Sequence, residues 1–203
     1  MSIEWPEVHL FWFGRMTDGF ADAEHHKRWF RFDATFDAEI RTRFGTTIDL
    51  ALDGGLGSWH EEPRGRLAFI VLMDQLTRNA NRGTSRAFAG DALALAAARD
   101  GVARREDVDL GIDERSFFYL PFEHSESALD QHTSVGLFTK LRDDSPRGRR
   151  RATTSTLRFA VQHRDIVLRF GRFPHRNEPL GRDSTPEEIE FLTTASRFGQ
   201  TPV

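Results

Sequence analysis

The sequence predicts an all-α fold, and three observations carry that expectation. Apolar residues recur at spacings of three and four, no segment alternates strictly between apolar and polar, and Val and Ile are sparse beside Ala, Leu and Phe. Trp29, Phe30, Phe36, Ile40, Phe44, Ile48 and Leu52 mark one helix near 21–31 and another near 34–53, the second closed by Gly54-Gly55. Pro63 suits a first helical turn, where its missing N–H costs nothing. That helix carries Leu67, Ile70 and Val71 on to about Arg78. Thr84 or Ser85 is placed to cap a helix running to Arg99, with Gly101 ending it.

After a loop near 103–111, a short helix at 113–119 is expected to stop before Pro121. Ser125 or Ser127 starts the next, reaching about Arg142, and another spans 152–170. The last opens at Ser184-Thr185-Pro186-Glu187-Glu188, where a cap, a proline and two acids share a first turn. The sum is about eight helices, arranged as antiparallel pairs in a single domain over 1–203. Phe-Gly recurs at Phe13-Gly14, Phe44-Gly45, Phe170-Gly171 and Phe198-Gly199. Spacing and flanks do not match, so these read as helix-closing pairs and not as a repeat, with Gly45 expected mid-helix or at a kink.

Composition removes several function classes. With no cysteine, disulfides and thiolate metal sites are excluded. The start, Met1-Ser2-Ile3-Glu4-Trp5-Pro6, lacks the pattern of a signal peptide. The longest strongly apolar run, Leu67 to Met73, is far short of the roughly 20 residues that span a bilayer. The expectation is a cytoplasmic protein with no membrane contact. A net charge of −3 supplies no field for nucleic acid, and the basic run Pro146-Arg147-Gly148-Arg149-Arg150-Arg151 has no interleaved aromatics. Of 28 basic residues only Lys27 and Lys140 are lysine. Base composition of the genome explains such a bias, and so does selection for the forked, bidentate guanidinium, which position has to decide.

Three segments place polar side chains where apolar ones are expected. The helix at 64–78 begins with Leu67, Ile70 and Val71, and continues the same face with Asp74, Gln75 and Arg78, four residues apart and able to pair. Asn79 and Arg82 follow, and Asp91 interrupts the apolar stripe of Phe88, Ala92 and Leu95 on the next helix. The second segment is Pro121-Phe122-Glu123-His124-Ser125-Glu126. Here His124 is a candidate proton-transfer group, Glu126 a candidate assistant, and Ser125 a helix cap and not a nucleophile. A metal is not expected, since ligands at i and i+2 form no recognised zinc spacing. The third is Arg169-Phe170-Gly171-Arg172-Phe173-Pro174-His175-Arg176-Asn177, a turn rich in guanidinium groups that suits anion recognition. In the helix before it, His163 reads as a hydrogen-bonded core residue. The bland alternative is that these arginines cap helix ends and pair with Asp74, Asp91, Glu123 or Glu126.

Together with Phe11-Trp12-Phe13-Gly14, Trp29-Phe30, Phe36-Asp37, Leu120-Pro121, Leu180-Gly181-Arg182 and the Ser184 to Glu188 start signal, these segments resemble a bacterial family known as domain of unknown function 924, from about Val8 to Phe198. The resemblance implies a tetratricopeptide-like array of antiparallel helix pairs and no established activity, substrate or cofactor. It departs at Leu76-Thr77, where a bulky residue and a proline are expected.

Two functions compete, with a purely structural polar core as the bland third. In the first, Asp74, Arg78, Asn79, Arg82, Asp91, Arg169, Arg172, Arg176 and Asn177 bind a small anionic molecule, with His124, Glu126 or His175 as acid or base in hydrolysis or proton transfer. No nucleotide-binding glycine motif or phosphate loop is present, and no cofactor is implied. In the second, the concave face of the helical array holds a protein partner. A homodimer burying Trp5, Phe11 or Trp12 is a further expectation.

Overall fold

A computed structural model describes residues 3–29 and 31–194. Its helices are α1 (Trp5–Phe13), α2 (Ala23–Trp29), α3 (Ala34–Leu52), α4 (Pro63–Val71), α5 (Thr77–Ala80), α6 (Asp91–Ala103), α7 (Ile112–His124), α8 (Ala128–Asp144), α9 (Arg150–Phe170) and α10 (Pro186–Leu192). One isolated antiparallel bridge, Thr17 to Phe20, is the nearest approach to β-structure among the described residues. The fold is all-α, and no helix described is long and apolar enough to cross a membrane.

The sequence signals held at several ends. Asp33 caps α3, accepting from the Thr35 and Phe36 N–H groups. Thr185 and Glu188 form a reciprocal box at the start of α10, with the Thr185 N–H donating to Glu188 at 2.8 Å and Glu188 N–H to the Thr185 hydroxyl at 3.2 Å. Gly14 and Gly171 close α1 and α9 with positive φ, while Gly45 lies inside α3. Phe198-Gly199 lies outside the described residues.

Elsewhere the structure corrects the reading. Residues 5–13 form a helix that periodicity did not announce, because apolar residues occur all round it and define no stripe. Trp12 is 1% exposed and Phe11 and Trp5 are partly covered, all packed into the core. The segment after Ser85 is not one helix: Ser85–Phe88 makes a 3₁₀ turn, and α6 begins at Asp91. Gly101 does not end α6. It sits within the helix, where a Cβ would lie 2.4 Å from the Phe118 ring and 2.7 Å from Arg66 Cδ, so its role is close packing. Helix α7 runs through Pro121 to His124. The proline forfeits one backbone hydrogen bond in the last turns, and burial of Phe117, Phe118, Leu120 and Phe122 holds the helix regardless.

α4 is the centre of the molecule, with α1, α6 and α7 packed around it. Its residues from Gly65 to Val71 are all buried. α7, α8 and α9 follow one another with short connections, so neighbours run antiparallel, and α8 packs on both of the others. Between α4 and α5 the rod widens into a π turn, Leu72–Leu76. Thr77 stabilises that widening: its N–H and its hydroxyl, at 2.8 Å, both reach the Leu72 carbonyl. A proline there would supply neither donor.

Candidate functional site

The π turn puts Asp74 in the interior. Single π turns inside helices recur at functional sites because they redirect one side chain without ending the helix. Asp74 is 1% exposed, and its Oδ1 lies 2.7 Å from His124 Nδ1. Its Oδ2 accepts from Gln75 Nε2 at 2.6 Å. Burial raises the Asp74 carboxyl, but His124 and Arg78 outweigh it and hold the group as a carboxylate. His124 is pushed down by burial and by the Arg78 and Arg176 cations, against the pull of Asp74, and so rests as neutral imidazole. A carboxylate facing a neutral imidazole places the ring proton on Nδ1. Nε2 then carries the lone pair, and no residue described hydrogen-bonds to it.

Arg78 and Arg176 meet beside this pair. Arg78 Nη2 donates to Asp91 Oδ1 at 2.7 Å, with Asp74 farther off at 3.5 Å. Arg176 Nη1 donates to Asp91 Oδ2 at 3.1 Å, and its Nη2 to the His124 carbonyl at 2.8 Å. Both guanidinium carbons lie near the Phe88 ring, at 5.2 and 5.0 Å from its centroid. Both side chains are buried, yet the Nε of each has no hydrogen-bond partner. One carboxylate therefore serves two cations at close quarters. Burial and the neighbouring Arg78 bring Arg176 down to about 10.

The approach of α6 to the π turn depends on Gly90, where a Cβ would lie 2.3 Å from the Met73 carbonyl oxygen. Without it Asp91 could not sit between the two arginines.

Behind His124 lie Glu123 and His163. Glu123 is 4% exposed, and burial together with the Asp74 charge pushes its carboxyl up to about 8. His163 Nδ1 lies 3.1 Å from Glu123 Oε1 and 2.9 Å from the Phe159 carbonyl. Burial and then His124 press His163 down to about 3. His175, pressed down by burial and Arg176, packs its ring 5.5 Å from that of Phe173.

With this geometry established, the sequence was compared with known proteins. The model of a bacterial protein family of unknown function, DUF924, matches residues 8–196. The chain belongs to this family. A solved protein of unknown function from Agrobacterium tumefaciens is similar to it, at 38% identity and a TM-score of 0.74, over 83% of this chain and 90% of the other. No curated protein matches.

In this DUF924 chain the expected site residues divide into three groups. Asp74, Arg78, Asp91, His124 and Arg176 converge as described, with His175 close enough for Arg78 and Arg176 to act on its charge. Asn79 and Arg82 point to the other side, onto Asp37 of α3. Asn79 Nδ2 donates at 2.9 Å and Arg82 Nε at 2.8 Å, locking α5 against α3. The rest gather under the C-terminal turn. Arg169 pairs with Glu187, Arg172 with Glu188 and the Asp183 carbonyl, and Asn177 with Ser184 and Glu188. An open cleft of about 370 Å³ lies among Arg169, Arg172, Glu187 and Glu188.

Glu126 does not stand beside His124. α7 ends at His124 and the chain turns extended at Ser125. Glu126 instead accepts from Phe173 N–H at 2.8 Å and from both ends of the Arg182 fork at 2.8 and 3.0 Å. Ser125 donates to Asp130 at 2.6 Å and accepts from the Ser127 N–H, while Ser127 takes the position before α8. The partner of His124 is Asp74, 50 residues away in sequence. Gln75, Phe88 and Glu123 were not among the expected site residues. Glu123 announces itself only by adjacency to His124, and Phe88 reads as an ordinary core residue.

Proposed function

We propose that the chain binds a small anionic molecule, carboxylate or phosphate, at Arg78 and Arg176, and acts on it at the Nε2 edge of His124. The observation that carries this reading is the shared carboxylate. Asp91 accepts from both buried guanidinium groups, Asp74 reaches Arg78 only at 3.5 Å, and each guanidinium retains an unpartnered Nε beside the Asp74–His124 pair. A buried cation pair in low dielectric attracts an anion far more strongly than surface arginines do. Asp74 fixes the ring of His124 and favours the protonated form when the ring takes up a proton, the arrangement that makes a histidine a directed acid or base. Hydrolysis or proton transfer on an anionic substrate fits these groups.

The tetratricopeptide-like scaffold holding a protein partner is the competing reading. It needs exposed aromatics gathered on one concave face. Among the described residues the exposed phenylalanines are Phe32 and Phe159, far apart in sequence.

Thermal unfolding in the presence of inorganic phosphate and a panel of small mono- and dicarboxylates tests the proposal. A bound anion at 100 times its dissociation constant should add about 2.7 kcal/mol of stability. Arg176→Lys should abolish the shift while the circular dichroism spectrum stays that of the parent. An absence of any shift across the panel would contradict the anion reading.

A further inference from the structure

We propose that Glu123, His124 and His163 form a binding site for a divalent transition-metal ion of the zinc or manganese class, adjoining the anion site. This deepens, and in its function rests on, the anion reading above.

The geometry points there from several directions. One ligating atom from each of the three residues lies within 4.8 Å of the others. Glu123 and His124 come from the last turn of α7, and His163 from the middle of α9. Two packed helices thus present two imidazoles and one carboxylate to one point. Zinc–ligand bonds of about 2.0–2.2 Å put neighbouring ligands roughly 3.5 Å apart, so closing onto an ion needs only side-chain adjustment.

The histidines are also oriented for the task. A metal-bound histidine almost always gives its second ring N–H to a carboxylate or carbonyl, which fixes ring and tautomer. His124 does this through Nδ1 to Asp74 at 2.7 Å, which leaves Nε2 as the coordinating atom. His163 contacts the Phe159 carbonyl at 2.9 Å. A third argument is charge. The carboxyls in this pocket are Asp74, Asp91 and Glu123, and the guanidiniums facing them are Arg78 and Arg176. Among the described contacts Glu123 meets neither guanidinium and only the imidazole of His163, so its carboxyl is the one in the pocket left to an added cation. Nitrogen-and-oxygen donors with no thiolate suit zinc, manganese or ferrous iron. An ion there would sit beside the anion held by Arg78 and Arg176. It would also take over from His124 the activation of water, whose pKa zinc lowers to about 7. Sequence spacing hid this set because its third member lies about 40 residues beyond the other two, and His163 alone reads as a core residue.

The test is equilibrium dialysis of the whole chain, free of any affinity tag, against Zn²⁺ and Mn²⁺, with bound metal counted by mass spectrometry. Co²⁺ absorption serves as a spectroscopic reporter. The expected result is one ion per chain at pH 7.5. His163→Asn and Glu123→Gln should each weaken binding by more than about 100-fold, beyond the 10–100-fold that loss of an outer-shell partner costs, while the control His132→Ala leaves it unchanged. Because variants at buried His163 and Glu123 risk misfolding, His124→Asn at the half-buried helix end is read alongside them and should lose the cobalt bands.

Failure to take up any ion, or uptake that survives all three substitutions, overturns the proposal. Phosphate binding measured on the same samples separates the two readings. Phosphate bound without metal leaves the anion site standing and removes the metal site. Metal bound without phosphate sustains the metal site and removes the anion reading.

Discussion

Arg78 and Arg176 share one carboxylate, Asp91, whereas Arg172 and Arg182 each have one of their own in Glu188 and Glu126. Sequence does not separate the two pairs: Arg176 lies in the same short arginine-rich stretch as Arg172 and Arg182, and Arg78 comes from a different helix. Their physical situations differ. The first pair is buried against Phe88, and Asp74 and His124 stand beside it. In the second region Arg172 and Glu188 meet in a two-point contact at 2.7 and 2.8 Å, fastening α10 to the turn after α9. The comparison teaches that local arginine density does not mark a site. One carboxylate bridging two buried guanidinium groups does.

The largest expected effect lies in the buried region. Asp74→Ala takes the carboxylate from His124 and leaves Asp91 alone to balance both buried guanidinium groups. Breaking such a buried pair should cost about 3–5 kcal/mol in urea unfolding. A cost under about 1 kcal/mol, typical of exposed pairs, would erase the distinction between the two regions.

Gly90→Ala comes next. Its Cβ meets the Met73 carbonyl oxygen at 2.3 Å, so α6 must retreat from the π turn at a cost of about 1–3 kcal/mol. Anion affinity should fall with it, because Asp91 moves away from both arginines. Unchanged affinity would show that the Asp91 bridge is dispensable.

In the C-terminal region the effects should be smaller. Thr185→Ala removes the α10 cap and should cost about 1 kcal/mol, with no effect on anion affinity. The same region should govern part of the acid response. Arg172 holds the Glu188 carboxyl at about 2, below its ordinary value of 4.5. A carboxyl depressed in the folded state stabilises fully above its unfolded value and loses that contribution as pH falls. Stability should therefore drop between about pH 4.5 and 2, and Glu188→Gln should flatten the slope there. An unaltered slope would place acid sensitivity elsewhere. Arg169→Ala, at an exposed pair with Glu187, should change stability by no more than about 0.5 kcal/mol.

Most of the fold was legible because periodicity and caps are local signals. Pro63 and the Ser184 to Glu188 run lie where their chemistry places them. The failures share a cause, which is tertiary contact overriding a local rule. Gly101 reads as a stop and is a packing notch for Phe118. Pro121 reads as a boundary and is carried through by buried neighbours. The site was half legible. Charges on the apolar face at Asp74 and Arg78 announced a buried network, since that face has no water to solvate them. What pairs with what was not, because Asp74 with His124, Asp91 with Arg176 and Asn79 with Asp37 are chosen by helix packing across 42 to 85 residues.

Calorimetric titration of inorganic phosphate into the parent, Arg176→Lys and Arg172→Lys proteins tests the central claim most directly. The account predicts saturable binding by the parent, its loss in Arg176→Lys, and parental affinity in Arg172→Lys. Binding that survives Arg176→Lys but fails in Arg172→Lys would move the anion to the C-terminal cleft and contradict the account.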